Sequence, residues 1–483
     1  MNKFIEELEK ETTKAYTQNG ALTYSTSLNR NVDFFFSMAA MKNASYHSIV
    51  SSFIAAYTED PKIAMANLWY LRDIRNGAGV KRCSEIIYRY LAENHPEELD
   101  LSKMVEYGRW KDIMFLLETT MQPKVIDFIK KQFDEDMKAE HPSLMAKWLP
   151  SYRCHNESRH NQSLILIARL FKCSKHYRKT LKALRTKLKI VEHNISEKNY
   201  KDINYNEVPS RAMYVYSKAF NRNDGERFSE YLENVKKGTD KINTSTLTPV
   251  DIVSKYITSY GSLNHKRPEN EEVLDTLWNN LKDVYGDKTE NSLVIADTSG
   301  SMCSGTPMAL AISISLAMYM AERNKGAFHN YFMTFSNHPI LQKIVGNTIY
   351  DKLRSFRTIN VSNTDLMAAF SAILDVAVKN NLSQDEMPEK LYIISDMEFD
   401  DATSKNDKTN FEAAKQKFAE AGYVLPQIVF WNVDAKTHNV PVRFNEEGVA
   451  LISGFSVNIL KSILKMEKLN PYDLMMKALT PYL

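Results

Sequence analysis

The sequence predicts a multidomain chain of mixed class, α and then α/β: a helical array followed by a doubly wound domain. Three observations carry that prediction. From Asn31 to about residue 235, apolar residues recur at helical spacing between short polar loops, without strand-like alternation of useful length. From Ser292 onward, short Val- and Ile-containing runs alternate with helical periods, the pattern of a parallel sheet covered by helices. The first of these runs, Leu293-Val294-Ile295-Ala296, ends abruptly in Asp297-Thr298-Ser299-Gly300-Ser301. In an open parallel sheet, ligands collect at that end of a strand.

At 483 residues the chain is too long for one ordinary core. A hydrophobic content of 43% and a charged content of 25% fit a globular protein. Its apolar runs are broken well short of the ~18 residues a membrane helix needs, so no membrane partner is expected. The acidic, amphipathic start Met1-Asn2-Lys3-Phe4-Ile5-Glu6-Glu7 argues against a secretory signal. Cys83, Cys154, Cys173 and Cys303 lie far apart without a C-x-x-C pair. That spacing suggests neither a disulfide framework nor zinc, and it fits a reducing, cytoplasmic setting.

In chain order, residues 1–36 read as an N-terminal extension with a short polar helix and an irregular extended stretch around Asn19-Gly20-Ala21-Leu22-Thr23-Tyr24. Residues 37–290 read as the helical module, an α-solenoid or HEAT-like array without a clean sequence repeat. Helices are expected at Leu68 to Arg75, Ser84 to Asn94, Leu101 to Tyr107, Lys111 to Glu118, Pro123 to Asp136 and Ser163 to Phe171. Residues 291–483 read as the α/β domain. Its later strands are expected at Ala327 to Phe335, Leu391 to Ser395, Gln427 to Val433 and Val449 to Ile452, and a helical tail runs from Asn470 to Leu483.

Strand, Asp-x-Ser-Gly-Ser loop and the long apolar helix Met308 to Met320 resemble a von Willebrand factor A domain, a Rossmann-like fold, with its metal-ion-dependent adhesion site. That resemblance implies a site of Asp297, Ser299 and Ser301, with Gly300 allowing the bend. It is completed by Thr364 in Asn363-Thr364-Asp365, before the helix Leu366 to Val378, and by Asp396 after Leu391-Tyr392-Ile393-Ile394-Ser395. Oxygen-only donors suit Mg²⁺ first and Mn²⁺ next. The competing reading is that the two aspartates only cap helices and form turns.

The net charge is only +3, but positive charge is concentrated. Between Arg169 and Lys189 stand nine Lys or Arg and no Asp or Glu: Arg169, Lys172, Lys175, Arg178, Lys179, Lys182, Arg185, Lys187 and Lys189, with His176 and Tyr177 among them. Such a stripe can track a phosphate backbone. Leu181, Leu184 and Leu188 also fit an ordinary amphipathic helix with a solvated basic face. A second cluster, Trp148-Leu149-Pro150-Ser151-Tyr152-Arg153-Cys154-His155-Asn156, has the residue types that stack on and bond to unpaired bases. A helix end with a buried Trp explains it equally well. His155, His160 and Asn156 have no partnered nucleophile in sight, so catalysis is not expected.

The layout as a whole resembles the TROVE-module proteins of the Ro autoantigen family, in which Leu68-Trp69-Tyr70-Leu71-Arg72-Asp73-Ile74-Arg75-Asn76-Gly77-Ala78-Gly79 matches an early helix and turn. It resembles more closely a family of the same layout without an assigned activity. The matching segments there are Asn19-Gly20-Ala21, Glu106-Tyr107-Gly108-Arg109-Trp110-Lys111-Asp112, Lys147-Trp148-Leu149-Pro150-Ser151, Val208-Pro209-Ser210, Ser395-Asp396-Met397-Glu398-Phe399-Asp400 and Ser453-Gly454-Phe455. The Ro resemblance implies a ribonucleoprotein scaffold holding small noncoding RNAs and single-stranded RNA ends, and a metal site at Asp297, Ser299, Ser301, Thr364 and Asp396. The alternative is a metal-dependent protein-adhesion module, in which a partner's acidic residue completes the coordination and nucleic acid plays no part. A metal-dependent nuclease is disfavoured, because the site lacks the clustered acids of two-metal chemistry.

Overall fold

The computed structural model describes residues 3–188, 190–334, 339–356, 364–401 and 408–483. Lys189, Phe335 and Asn363, named above, lie outside the described residues. The chain divides into two compact units. One comprises residues 1–71, 75–83 and 245–483, and the other residues 72–74 and 84–244. The first unit thus joins the amino-terminal residues 1–71 to the residues that carry the sheet.

The strands are β1 (Lys14–Tyr16), β2 (Leu22–Tyr24), β3 (Ser292–Ala296), β4 (Tyr331–Thr334), β5 (Leu341–Lys343), β6 (Lys390–Ser395), β7 (Gln427–Asn432) and β8 (Val449–Ser453). β1 and β2 form an antiparallel hairpin, where the sequence suggested only an irregular extended stretch. The other six make one sheet in the order β5-β4-β3-β6-β7-β8. All neighbours are parallel except the edge pair β4–β5. This is a Rossmann-like sheet, and its chain order reverses direction between β3 and β6. Every residue of β3 and β6 is buried, as expected of parallel strands covered on both faces. The helix Ala309–Arg323 supplies much of one cover, with an unbroken buried run from Ala309 to Ala321.

The helix Arg30–Ser37 belongs to this unit, because Phe34, Phe35 and Phe36 are each at most 2% exposed and the helix packs on β7 and β8. Its end is locked to β8: the Ser453 hydroxyl donates to the Phe35 carbonyl at 2.7 Å. Gly454, at φ +95°, approaches so closely that an added Cβ would lie 2.6 Å from that of Ala39, so two separate reasons demand glycine there.

The second unit is helical, with no strand among its described residues. Gln122–Lys138 packs on the 3₁₀ segment Trp110–Glu118 and on Glu157–Leu170, and Ser174–Lys187 packs on the short helix Met145–Trp148. Ser210–Asn223 and Gly225–Lys237 form a further pair. The helix expected over 101–107 is instead one α turn followed by a π-helical turn, Met104–Gly108. A fully buried pair stands next to it. Asp112 receives Arg72 Nε at 2.7 Å, and a Cβ on Gly108 would lie 2.3 Å from the same carboxylate. Among the described residues no helix is long and apolar enough to cross a membrane.

Candidate functional site

The α/β unit places Asp297 and Asp396 on neighbouring strand ends. β3 and β6 run parallel in a register that pairs Ala296 with Ile394, and the Asp297 N–H donates to the Ile394 carbonyl at 2.9 Å. Both carboxylates therefore emerge at the switch point of the sheet, where a ligand crevice is expected. Asp297 is fully buried and Asp396 is 2% exposed. Asp297 Oδ1 accepts the Ser299 N–H at 2.9 Å and Oδ2 accepts the Ser395 hydroxyl at 2.6 Å. The hydroxyls of Ser299 and Ser301 stand 3.0 Å apart. Burial, together with the Asp396 carboxylate, pushes Asp297 up to about 6, against the bonds from Ser395 and Ser299.

Four of the five expected ligands are thus brought together. Thr364 is buried beside Asp365, which caps the helix Leu366–Asn380 by accepting from the Ala368 N–H. Its carbonyl accepts from the Asp400 N–H at 3.0 Å, which ties it to the loop after β6. Among the described residues, no hydrogen bond joins its hydroxyl to the other four. The bend is also made differently from expectation. Gly300–Met302 is a 3₁₀ turn, and it is Gly305, at φ +86°, that takes the left-handed conformation.

Two features of this site were not read from the sequence. The ammonium of Lys436 lies 2.7 Å from Asp396 Oδ2 and donates to the Ser301 carbonyl at 2.9 Å. Glu398, 2% exposed, accepts the Gln18 N–H at 2.6 Å and the Thr437 hydroxyl at 2.9 Å, while the Asn19 amide donates to its carbonyl. Gly20 bridges to Asp400. The segments Asn19-Gly20-Ala21 and Ser395 to Asp400, distant in sequence, are thus one contact.

The donor set is all oxygen, with two buried carboxylates and two adjacent hydroxyls, and a cationic nitrogen already stands on it. That chemistry fits a hard divalent ion. Among the described residues no group of three or more His, Cys, Asp or Glu is arranged to hold a metal, so any ion here relies on hydroxyls and water.

In the helical unit, the two basic signals form one surface. Ser174–Lys187 buries Tyr177, Leu181 and Leu184 and exposes Lys175, His176, Arg178, Lys179 and Lys182 on its other side. Lys172 and Arg169 are exposed just before it, Arg169 reaching Gln122 Oε1 at 3.5 Å. The His176 ring meets Phe171 edge-on at 5.4 Å. The loop 149–156 lies against this helix. Half-buried Tyr152 has the Arg153 guanidinium 5.3 Å from its ring centre and that of Arg178 at 5.9 Å, both within cation–π reach.

Arg185, expected with the stripe, turns inward. Its guanidinium donates to the carbonyls of Ala146 and Leu149 at 2.8 and 2.9 Å and to the Ser151 hydroxyl at 3.0 Å. Burial lowers its pKa from the ordinary range. Asn156 is likewise occupied, capping Glu157–Leu170 by accepting the Arg159 N–H. Trp148 is half-buried, with Arg109 over its ring at 5.2 Å and Lys147 at 5.9 Å.

Comparison with known proteins matches residues 17–140 and 126–288 to the domain of unknown function DUF2828, and residues 291–478 to the domain of unknown function DUF7788. The uncharacterized protein L728 of Acanthamoeba polyphaga mimivirus is 28% identical over 517 residues, covering 97% of this chain and 87% of that protein. Among solved structures, the Ro (Rsr) protein of Deinococcus radiodurans aligns over 93% of both chains at 12% identity with a TM-score of 0.36, a likeness too low to carry an argument.

Proposed function

The chain belongs to the DUF2828 family, and on that premise we propose that it is a non-enzymatic RNA-binding scaffold. The observation that carries this reading is the continuous basic surface of Lys172, Lys175, His176, Arg178, Lys179 and Lys182 beside Tyr152 and Arg153. Exposed cations on one helix face neutralise phosphates, and an aromatic ring flanked by guanidiniums suits unpaired bases. The cargo is single-stranded or structured noncoding RNA, taken on a HEAT-like helical surface.

The α/β unit contributes a Mg²⁺ (or Mn²⁺) site made by Asp297, Ser299, Ser301, Thr364 and Asp396, in the manner of an adhesion-type A domain. Asp297 and Asp396 would hold such an ion by charge, and the hydroxyls of Ser299, Ser301 and Thr364 would add neutral oxygen donors. A hard dication there would supply a docking point for water or for the acidic side chain of a protein partner. The test of the scaffold reading is the nucleic-acid content of the full chain purified at low salt, with the bound species sequenced. Defined RNAs recovered with the protein support it, and a nucleic-acid-free protein that also ignores added RNA overturns it.

A further inference from the structure

Lys436 stands on the acidic site as a cation of the chain's own. Its ammonium bridges Asp396 Oδ2 at 2.7 Å and the Ser301 carbonyl at 2.9 Å, so it contacts two residues of the proposed ion site at once. The Asp396 side chain is wholly buried, while that of Lys436 keeps 22% of its surface in solvent. The backbone around it is pinned. The Asp434 N–H donates to Asn432 Oδ1, the Lys436 N–H to the Asp434 carbonyl, and the Thr437 hydroxyl to Glu398. Only the flexible four-carbon stem of Lys436 has freedom to leave.

We propose that Lys436 is a tethered counter-cation that a divalent ion must displace, so that this side chain sets the ion affinity of the site. The inference rests on the metal reading above. Occupancy argues for it. The Lys436 ammonium already holds Asp396 Oδ2, an oxygen that an ion at this site would take, and two cations crowded onto it repel each other in a buried site, where Coulomb repulsion is poorly screened. Asp434 and Glu398 bring further negative charge to Lys436, which adds to the hold an ion must overcome. One ion enters as one ammonium swings out to solvent. A site built this way is filled only at divalent concentrations high enough to win that exchange, and filling it frees the Lys436 side chain at the rim.

The experiment is calorimetric titration of the full chain with MgCl₂ and, separately, MnCl₂. It uses the wild type, K436M, K436R and D297N. K436M removes the charge at similar length and is expected to bind about two- to fivefold more tightly, the worth of one partly exposed ion pair. K436R keeps the charge and is expected to match the wild type, which separates competition from damage to the loop. Amine acylation of Lys436, followed by mass spectrometry, is expected to speed up on adding Mn²⁺. If K436M binds no more tightly than wild type while D297N abolishes binding, the displacement proposal is wrong and the ion site stands. If neither wild type nor K436M binds either ion, the site reading falls, and the proposal with it.

Discussion

The Tyr177 hydroxyl donates to the Pro150 carbonyl at 2.6 Å, and both residues are buried, so the core face of the basic helix is bolted to the aromatic loop. Burial pushes the Tyr177 phenol well above its ordinary range, which keeps it a donor. Tyr177→Phe leaves a buried carbonyl without its partner, and it is expected to lower unfolding free energy by about 1–2 kcal/mol. Urea denaturation checks this, and an unchanged midpoint would show that the bond does not hold the loop.

Arg185 and its exposed neighbours are expected to separate by phenotype. Arg185→Gln breaks three inward bonds and is expected to cost about 1–3 kcal/mol of stability, read in the same denaturation assay. Lys179→Gln, on the exposed face, is expected to stay within about 0.5 kcal/mol of wild type and to weaken RNA binding instead.

The fully buried pair Arg72–Asp112 shares one oxygen: Nε donates to Asp112 Oδ2 at 2.7 Å and a terminal nitrogen of Arg72 lies 2.6 Å from it. The Arg109 N–H also donates to that oxygen at 3.1 Å. Asp112→Ala strands a buried guanidinium and is expected to cost about 3–5 kcal/mol. Replacing both partners by apolar residues of similar volume is expected to cost less than that single change. Thermal unfolding of the single and double variants decides it.

Asp275, in the helix Glu271–Asn279, accepts the Ile349 N–H at 2.9 Å, and burial pushes its carboxyl up to about 6. The folded state therefore holds this proton more tightly than the unfolded state does. Its contribution to stability is present below the unfolded value near 4 and is lost as pH rises through about 6. Asp275→Asn keeps an acceptor for Ile349 without the charge. It is expected to flatten the stability profile between pH 4 and 7, and an unchanged slope would place the dependence on another group.

The sheet was largely legible, because Val- and Ile-rich runs buried on both faces have few alternatives. The observed β3, β6, β7 and β8 lie within a residue of their expected bounds. The hairpin of β1 and β2 was not legible, nor was the edge strand β5. Each has only three residues, too few for periodicity to register. That Asp297, Ser299, Ser301 and Asp396 gather beyond two neighbouring strand ends was legible, because the strands position them locally. Lys436 and Glu398 were not, since their roles come from contacts across loops far apart in sequence. Arg185 shows the converse limit. Its charge is plain in the sequence, but its inward direction is fixed by the carbonyls of Ala146 and Leu149.

The central claim is tested most directly by the salt dependence of binding to a labelled single-stranded RNA, comparing wild type with a variant carrying Lys175→Gln, Arg178→Gln, Lys179→Gln and Lys182→Gln. Each phosphate contact on a single strand contributes about 0.7 to the slope of log affinity against log salt. Four lost contacts are expected to shallow that slope by about 3 and to weaken binding at low salt by orders of magnitude. Equal affinity and equal slope in the two proteins would contradict the account, because the surface that carries it would then be an ordinary solvated helix face.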